Sequence, residues 1–102
     1  MLADHLVRQE LLRPRDSLAA VRKRIDFIDD MLMVLLGQRQ DLVREVGRLK
    51  KSRNVPISDP RREHEIIRKR LALVSDANLD PGFVRKVFQA VFEHARKIQK
   101  TV

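Results

Sequence analysis

A chain of 102 residues with a formal net charge of +8 suffices for one small domain, in which roughly 60 to 65 per cent of the unfolded surface becomes buried, and leaves no room for a second. Apolar residues make up 43% and charged residues 35%, with three Gly, four Pro and no Cys; this excludes disulfide staples and thiolate metal sites and points to long amphipathic helices rather than a disordered or all-β chain. The positive charge is spread along the chain and has no Trp or Tyr beside it for base stacking, so a small polyanion is a better expected partner than nucleic acid.

The first segment, Met1 to Arg15, spaces Leu2, Leu6 and Leu11-Leu12 helically and stops at Arg13-Pro14. It is expected to be a short helix or a disordered extension, and residues 1–16 are set apart from a domain over 17–102 with no function attached to them. Asp4, Arg8, Glu10 and Arg13 interrupt any signal-peptide core, and no later stretch reaches a membrane-spanning length, so a cytoplasmic protein with no membrane partner is expected.

Asp16-Ser17 offers a helix start. Leu18, Val21, Ile25, Ile28, Leu32 and Leu35, then Leu42, Val46 and Leu49, alternate steps of three and four, which predicts one long helix from Ser17 to about Arg53 with a heptad seam. At 1.5 Å per residue it would be roughly 55 Å long and must pack against something beyond its own chain. A core whose aromatic residues are all Phe, only 4% of the sequence, is thin by itself, and oligomerisation is the expected remedy.

The helix breaks at Asn54-Val55-Pro56, and Ser58-Asp59-Pro60 reads as a cap with proline at the first helical position. The second, short helix carries Ile66, Ile67, Leu71 and Val74 on one face and fades over Ser75 to Asn78. Asp80-Pro81 repeats the device and opens a third, medium helix with Val84, Val87, Phe88, Val91, Phe92, Ala95 and Ile98 facing inward. The expected fold is therefore all-α, built from three helices.

Charges interrupt these apolar faces. The step after Leu35 lands on Arg39, and a guanidinium in an apolar seam is costly unless an anion meets it; a buried ion pair, snorkelling to the surface and a ligand carboxylate all remain open. Lys50 follows eleven residues later, almost three turns on, so two cations flank a gap of about 16 Å on one side of the helix. Glu63 lies in line with the apolar face of the second helix, as a partner for Arg39 or Arg62 or as a ligand contact. Gln99 follows Phe88, Phe92 and Ala95 down one stripe of the third helix, and a buried amide there needs partners, either on another helix or on a ligand. Arg22 flanks the seam 28 residues before Lys50, roughly 42 Å away along a straight helix. If two long helices pair antiparallel about an axis near Val34, the partner subunit's Arg22 comes level with Val46, between Arg39 and Lys50.

The usual nucleophilic and metal-binding sets are missing. His5, His64 and His94 are isolated, and Ser17, Ser52, Ser58 and Ser75 sit near helix ends as caps or turns. No cofactor or metal is expected. A pocket of Arg, Lys, Gln and Glu still suffices to hold a dianion in a compact conformer and to stabilise charge developing on an oxygen.

The run Leu18-Ala19-Ala20-Val21-Arg22-Lys23-Arg24-Ile25-Asp26-Phe27-Ile28-Asp29, with Leu35-Leu36-Gly37-Gln38-Arg39, Leu42-Val43, Val46-Gly47 and Lys50, resembles the first helix of all-α chorismate mutases. The similarity continues through Pro56-Ile57-Ser58-Asp59-Pro60-Arg61-Arg62-Glu63, Leu79-Asp80-Pro81, Phe83, Phe88-Gln89 and Gln99, and covers about Ser17 to Lys100. As an ordered set these motifs are specific.

The resemblance implies an intertwined homodimer with two equivalent sites that rearranges chorismate to prephenate in aromatic amino-acid biosynthesis. It further implies that Arg39 and the partner subunit's Arg22 clamp the two substrate carboxylates, that Lys50 and Gln99 face the ether oxygen, and that Glu63 binds the ring hydroxyl with Asp59 and Arg62 assisting at the mouth. Where many relatives carry Ser or another polar residue one turn before the glutamine, this chain has Ala95, which removes one carboxylate contact. Rival readings on the same scaffold are an isochorismate pyruvate-lyase and a non-catalytic regulatory module; fusion in many relatives also implies association with other aromatic-pathway enzymes.

Overall fold

A computed structural model describes residues 17–102, and the expectations for residues 1–16 lie outside the described residues. All the regular structure among the described residues is helical: α1 (Leu18–Ser52), α2 (Pro60–Leu71), α3 (Val74–Ala77) and α4 (Pro81–Gln99). The all-α expectation therefore holds, and no described helix is long and apolar enough to cross a membrane. The chain divides into two units, one ending at Gly37 and one spanning Gln38–Val102.

In the first unit, the Ser17 hydroxyl accepts the amide of Ala20 at 3.1 Å, and the Ser17 carbonyl accepts that of Val21 at 3.0 Å. These bonds satisfy groups at the start of α1 that the helix itself leaves unpaired. Along the seam Val21 is half-buried, whereas Leu18, Ile25, Ile28, Leu32 and Leu35 are exposed, Leu35 to 57%.

In the second unit, α1 ends in a Schellman arrangement centred on Asn54, whose φ is 57°. The Val55 amide bonds to the Lys50 carbonyl at 2.8 Å and the Asn54 amide to that of Lys51 at 3.2 Å, closing the last turn as this motif does. Asp59 caps α2, its Oδ1 accepting the Arg62 amide at 3.1 Å, with Pro60 opening the helix. Asp80 does the same for α4, accepting the Phe83 amide at 2.8 Å.

The second predicted helix is divided. At Ala72 and Leu73 the backbone tightens, the Leu73 amide bonding to the Arg70 carbonyl at 3.0 Å, and the one-turn α3 then carries Val74 into the core. Asn78, at φ 54°, closes α3 with the Leu79 amide on the Val74 carbonyl at 3.1 Å. Val74 is buried there, and Ser75, Asp76 and Asn78 leave no apolar face to continue.

Helices α2 and α4 pack together. The core is small: Ile66, Val74, Val84, Phe92 and Ile98 are buried, and the Phe88 and Phe92 rings meet at 5.9 Å in a tilted pair. Phe88, Val91 and Ala95 are half-buried. Val87, expected to face inward, is 44% exposed because it falls on the flank of the α4 stripe rather than on its centre. Gly47 is buried against the end of α4: a Cβ there would lie 3.1 Å from the Gln99 Cα and 2.6 Å from the Val102 Cγ2. The missing side chain thus allows the close approach that sets Gln99 against α1.

Candidate active site

Between these elements of the second unit lies a cavity of about 320 Å³. Helix α1 contributes Arg39, Leu42, Val43, Val46 and Lys50; the following loop contributes Ile57 and Asp59; α2 contributes Arg62, Glu63 and Ile66; α4 contributes Phe92, Ala95, Arg96 and Gln99. Six of the seven residues singled out from the sequence, Arg39, Lys50, Asp59, Arg62, Glu63 and Gln99, line this one space. The seventh, Arg22, belongs to the first unit and is exposed.

Arg39 is half-buried, and no carboxylate of the described residues pairs with it. Burial, and then the charges of Arg70 and Arg62, push its pKa below the ordinary arginine value. The side chain stays protonated all the same, so an uncompensated positive charge faces the cavity. Lys50 is held from the loop: its Nζ donates to the Ile57 carbonyl at 2.8 Å, which leaves two of its three N–H donors for other work.

Asp59 and Arg62 have local duties. One oxygen of Asp59 caps α2, and Arg62 Nη1 donates to Glu65 Oε1 at 3.2 Å. Glu65 also meets Lys69 at 2.9 Å, and the Lys69 hydrogen bond, the Lys69 charge and then the Arg62 charge hold its carboxyl below the usual range. Both Asp59 and Arg62 are exposed, as residues at a rim are.

Glu63 faces a partner that the sequence reading missed. The partner is neither Arg39 nor Arg62: Arg96 Nη1 donates to both carboxylate oxygens, at 2.8 Å to Oε1 and 2.6 Å to Oε2. The packing of α2 on α4 brings together residues 33 positions apart, which no local spacing announces. One signal was present, since Arg96 stands four residues after Phe92 and three before Gln99, on the stripe already identified as inward-facing.

Among the described residues, Gln99 bonds to no other helix through its oxygen. Its Oε1 is buried and without a hydrogen-bond partner among the described residues, which is uncommon for a buried amide. Rotation about the last side-chain torsion exchanges the oxygen and the NH₂ group, so either can face a ligand. The lining thus carries four cations, Arg39, Lys50, Arg62 and Arg96, against two carboxylates, Asp59 and Glu63. Small dianions fit that imbalance. No group of three metal-ligating residues occurs among the described residues.

The sequence matches the family model described as chorismate mutase type II over residues 21–100. It is 35% identical to a chorismate mutase of Methanocaldococcus jannaschii over 83% of this chain and 86% of that one. It is 29% identical to the bifunctional chorismate mutase/prephenate dehydratase of Escherichia coli K12 over 85% of this chain, but spans only 22% of that longer protein. A 3-dehydroquinate dehydratase of Pyrobaculum aerophilum is 32% identical over 81% of this chain and 24% of its own length. With a family match running from before Arg22 to beyond Gln99, and an archaeal relative aligned over most of both chains, the chain belongs to the chorismate mutase type II family.

Proposed function

We propose that this isomerase, a chorismate mutase, rearranges chorismate to prephenate in the cavity of the second unit. The observation that carries the assignment is the meeting, in one cavity, of an Arg39 and a Gln99 oxygen that have no carboxylate and no hydrogen-bond partner, respectively, among the described residues, with a tethered Lys50. Arg39 binds one substrate carboxylate, and guanidinium suits it because it offers two parallel donors. Lys50 and the Gln99 amide, turned to present its NH₂, face the ether oxygen, where negative charge grows as the carbon–oxygen bond breaks. Glu63 accepts the ring hydroxyl, and Asp59 and Arg62 stand at the mouth. Catalysis on this reading comes from holding the compact conformer and from donors already aimed at the developing charge.

The second carboxylate falls to the partner subunit's Arg22 in a homodimer. The exposed apolar row of the first unit supports a dimer, because it is continuous and repeats at heptad spacing. A cytoplasmic location belongs to the same proposal. The matched segment occurs within longer enzymes in two of the relatives above, which supports a working association with other enzymes of aromatic biosynthesis.

Loss of chorismate absorbance on adding the purified chain is the direct test, with Arg39→Ala and Lys50→Ala assayed beside it. Conversion to prephenate, reduced on the order of 10²- to 10³-fold in each variant as for the loss of one charge-stabilising donor, is the expected result. Faster release of pyruvate from isochorismate would make the chain a lyase, and no turnover of either substrate would leave a binding module.

A further inference from the structure

The Arg96–Glu63 pair is the contact in the cavity that the assignment above leaves unused. Its geometry is unusual in one respect: a single nitrogen, Arg96 Nη1, reaches both oxygens of the Glu63 carboxylate, so the carboxylate is centred on that nitrogen. Among the ion pairs of the described residues, those of Asp41, Glu65 and Glu93 link neighbouring turns of one helix, whereas this one crosses from α2 to α4. Both side chains also line the cavity.

We propose that Arg96 is a positioning residue that acts through Glu63, holding its carboxylate at the cavity wall so that the ring hydroxyl of the substrate meets an oxygen already in place. The proposal rests on the reading of Glu63 as the hydroxyl acceptor. A glutamate side chain is rotamer-rich and loses freedom when it is ordered; with Arg96 on it, that ordering is complete before substrate arrives. Each carboxylate oxygen has room for a second hydrogen bond beside the one from Arg96, so the substrate hydroxyl adds to the pair rather than displacing it.

A purely structural role fits less well. The two side chains keep 36% and 27% of their surface exposed, and pairs with that much access to water add little to stability. The α2–α4 contact has its own apolar packing through Ile66 and Phe92, both buried.

The test compares two substrates, chorismate and an analogue with hydrogen in place of the ring hydroxyl, on the parent chain and on Arg96→Met, Arg96→Lys, Glu63→Gln and the Arg96→Met/Glu63→Gln double variant. We expect Arg96→Met to lower kcat/KM for chorismate about tenfold, as misplacement of a binding group does, and to leave turnover of the analogue within about twofold. Arg96→Lys should recover part of the loss, and in the Glu63→Gln background Arg96→Met should have no further effect, since two residues acting as one unit are not additive. Equal losses on both substrates, or additive losses in the double variant, would overturn the proposal and make Arg96 a direct substrate contact or a structural tie. Failure of the parent chain to convert chorismate would instead overturn the functional reading beneath it.

Discussion

If Arg39 binds a substrate carboxylate as proposed, it shows in one residue how a binding site is maintained against stability. Its charge is disfavoured by burial first and by Arg70 and Arg62 next, and no carboxylate of the described residues pairs with it. For a base whose folded pKa lies below its unfolded one, the cost is present at every pH below the lowered value and disappears only above the arginine range. Between about pH 5 and pH 9 the penalty is therefore constant. Arg39→Met should melt no lower than the parent in thermal unfolding at pH 7 while losing chorismate turnover, a separation typical of groups kept for function; a clear fall in melting temperature would show that Arg39 supports the fold instead.

Gly47 belongs to the same scale. An added Cβ would press on the Gln99 backbone at 3.1 Å, and overpacking of this kind costs about 1–3 kcal/mol, partly offset by the better helix propensity of Ala, worth up to about 1 kcal/mol. Gly47→Ala should lose about 1 kcal/mol in urea unfolding and, on the proposed function, a larger fraction of activity, because the strain falls on a side chain that lines the cavity.

At the scale of elements, the helices are delimited by capping residues and tied along their surfaces by charges. Glu65 sits between Arg62 and Lys69 on α2, and its carboxyl is held below the usual range, by Lys69 above all. A depressed carboxyl contributes stability above the unfolded pKa, and the contribution is lost as pH falls through the folded one. Glu65→Gln should accordingly flatten the acid limb of a melting-temperature profile between about pH 5 and pH 3 and change little at pH 7. Asn54 in the left-handed region closes α1; Asn54→Gly should hold stability while Asn54→Ala loses about 1 kcal/mol, as measured by denaturant midpoints.

On the scale of the whole molecule, the dimer proposal can be separated from the site proposal. Arg22→Ala and Arg39→Ala chains are each expected to be strongly impaired alone. If the chain dimerises as proposed, mixing and exchange would give heterodimers in which one of the two sites has its full set of cations, and roughly a quarter of all sites should recover at statistical exchange in a two-fold symmetric dimer. No recovery on mixing, with exchange verified by mass, would place the action of Arg22 within its own chain. Leu32→Lys, on the exposed row of the first unit, should weaken association and activity together in a protein-concentration series.

Much of this protein was legible in its sequence because the relevant physics is local. The seam from Leu18 to Leu49 announces α1; Asp59-Pro60 and Asp80-Pro81 announce the starts of α2 and α4 to the residue; and Arg39 is conspicuous as a charge where a leucine belongs. The sequence alone therefore determined the all-α class, the starts of α1, α2 and α4 and six of the residues around the cavity. Tertiary structure decided what depends on packing across long separations. The break at Ala72-Leu73, marked by the Leu73 amide on the Arg70 carbonyl, has no signal in the helical spacing, and the small Gly47 matters only once α4 lies against it. The partner of Glu63 could not be read from spacing, because an ion pair between α2 and α4 has no period in the chain and comes into being only when those two helices pack together.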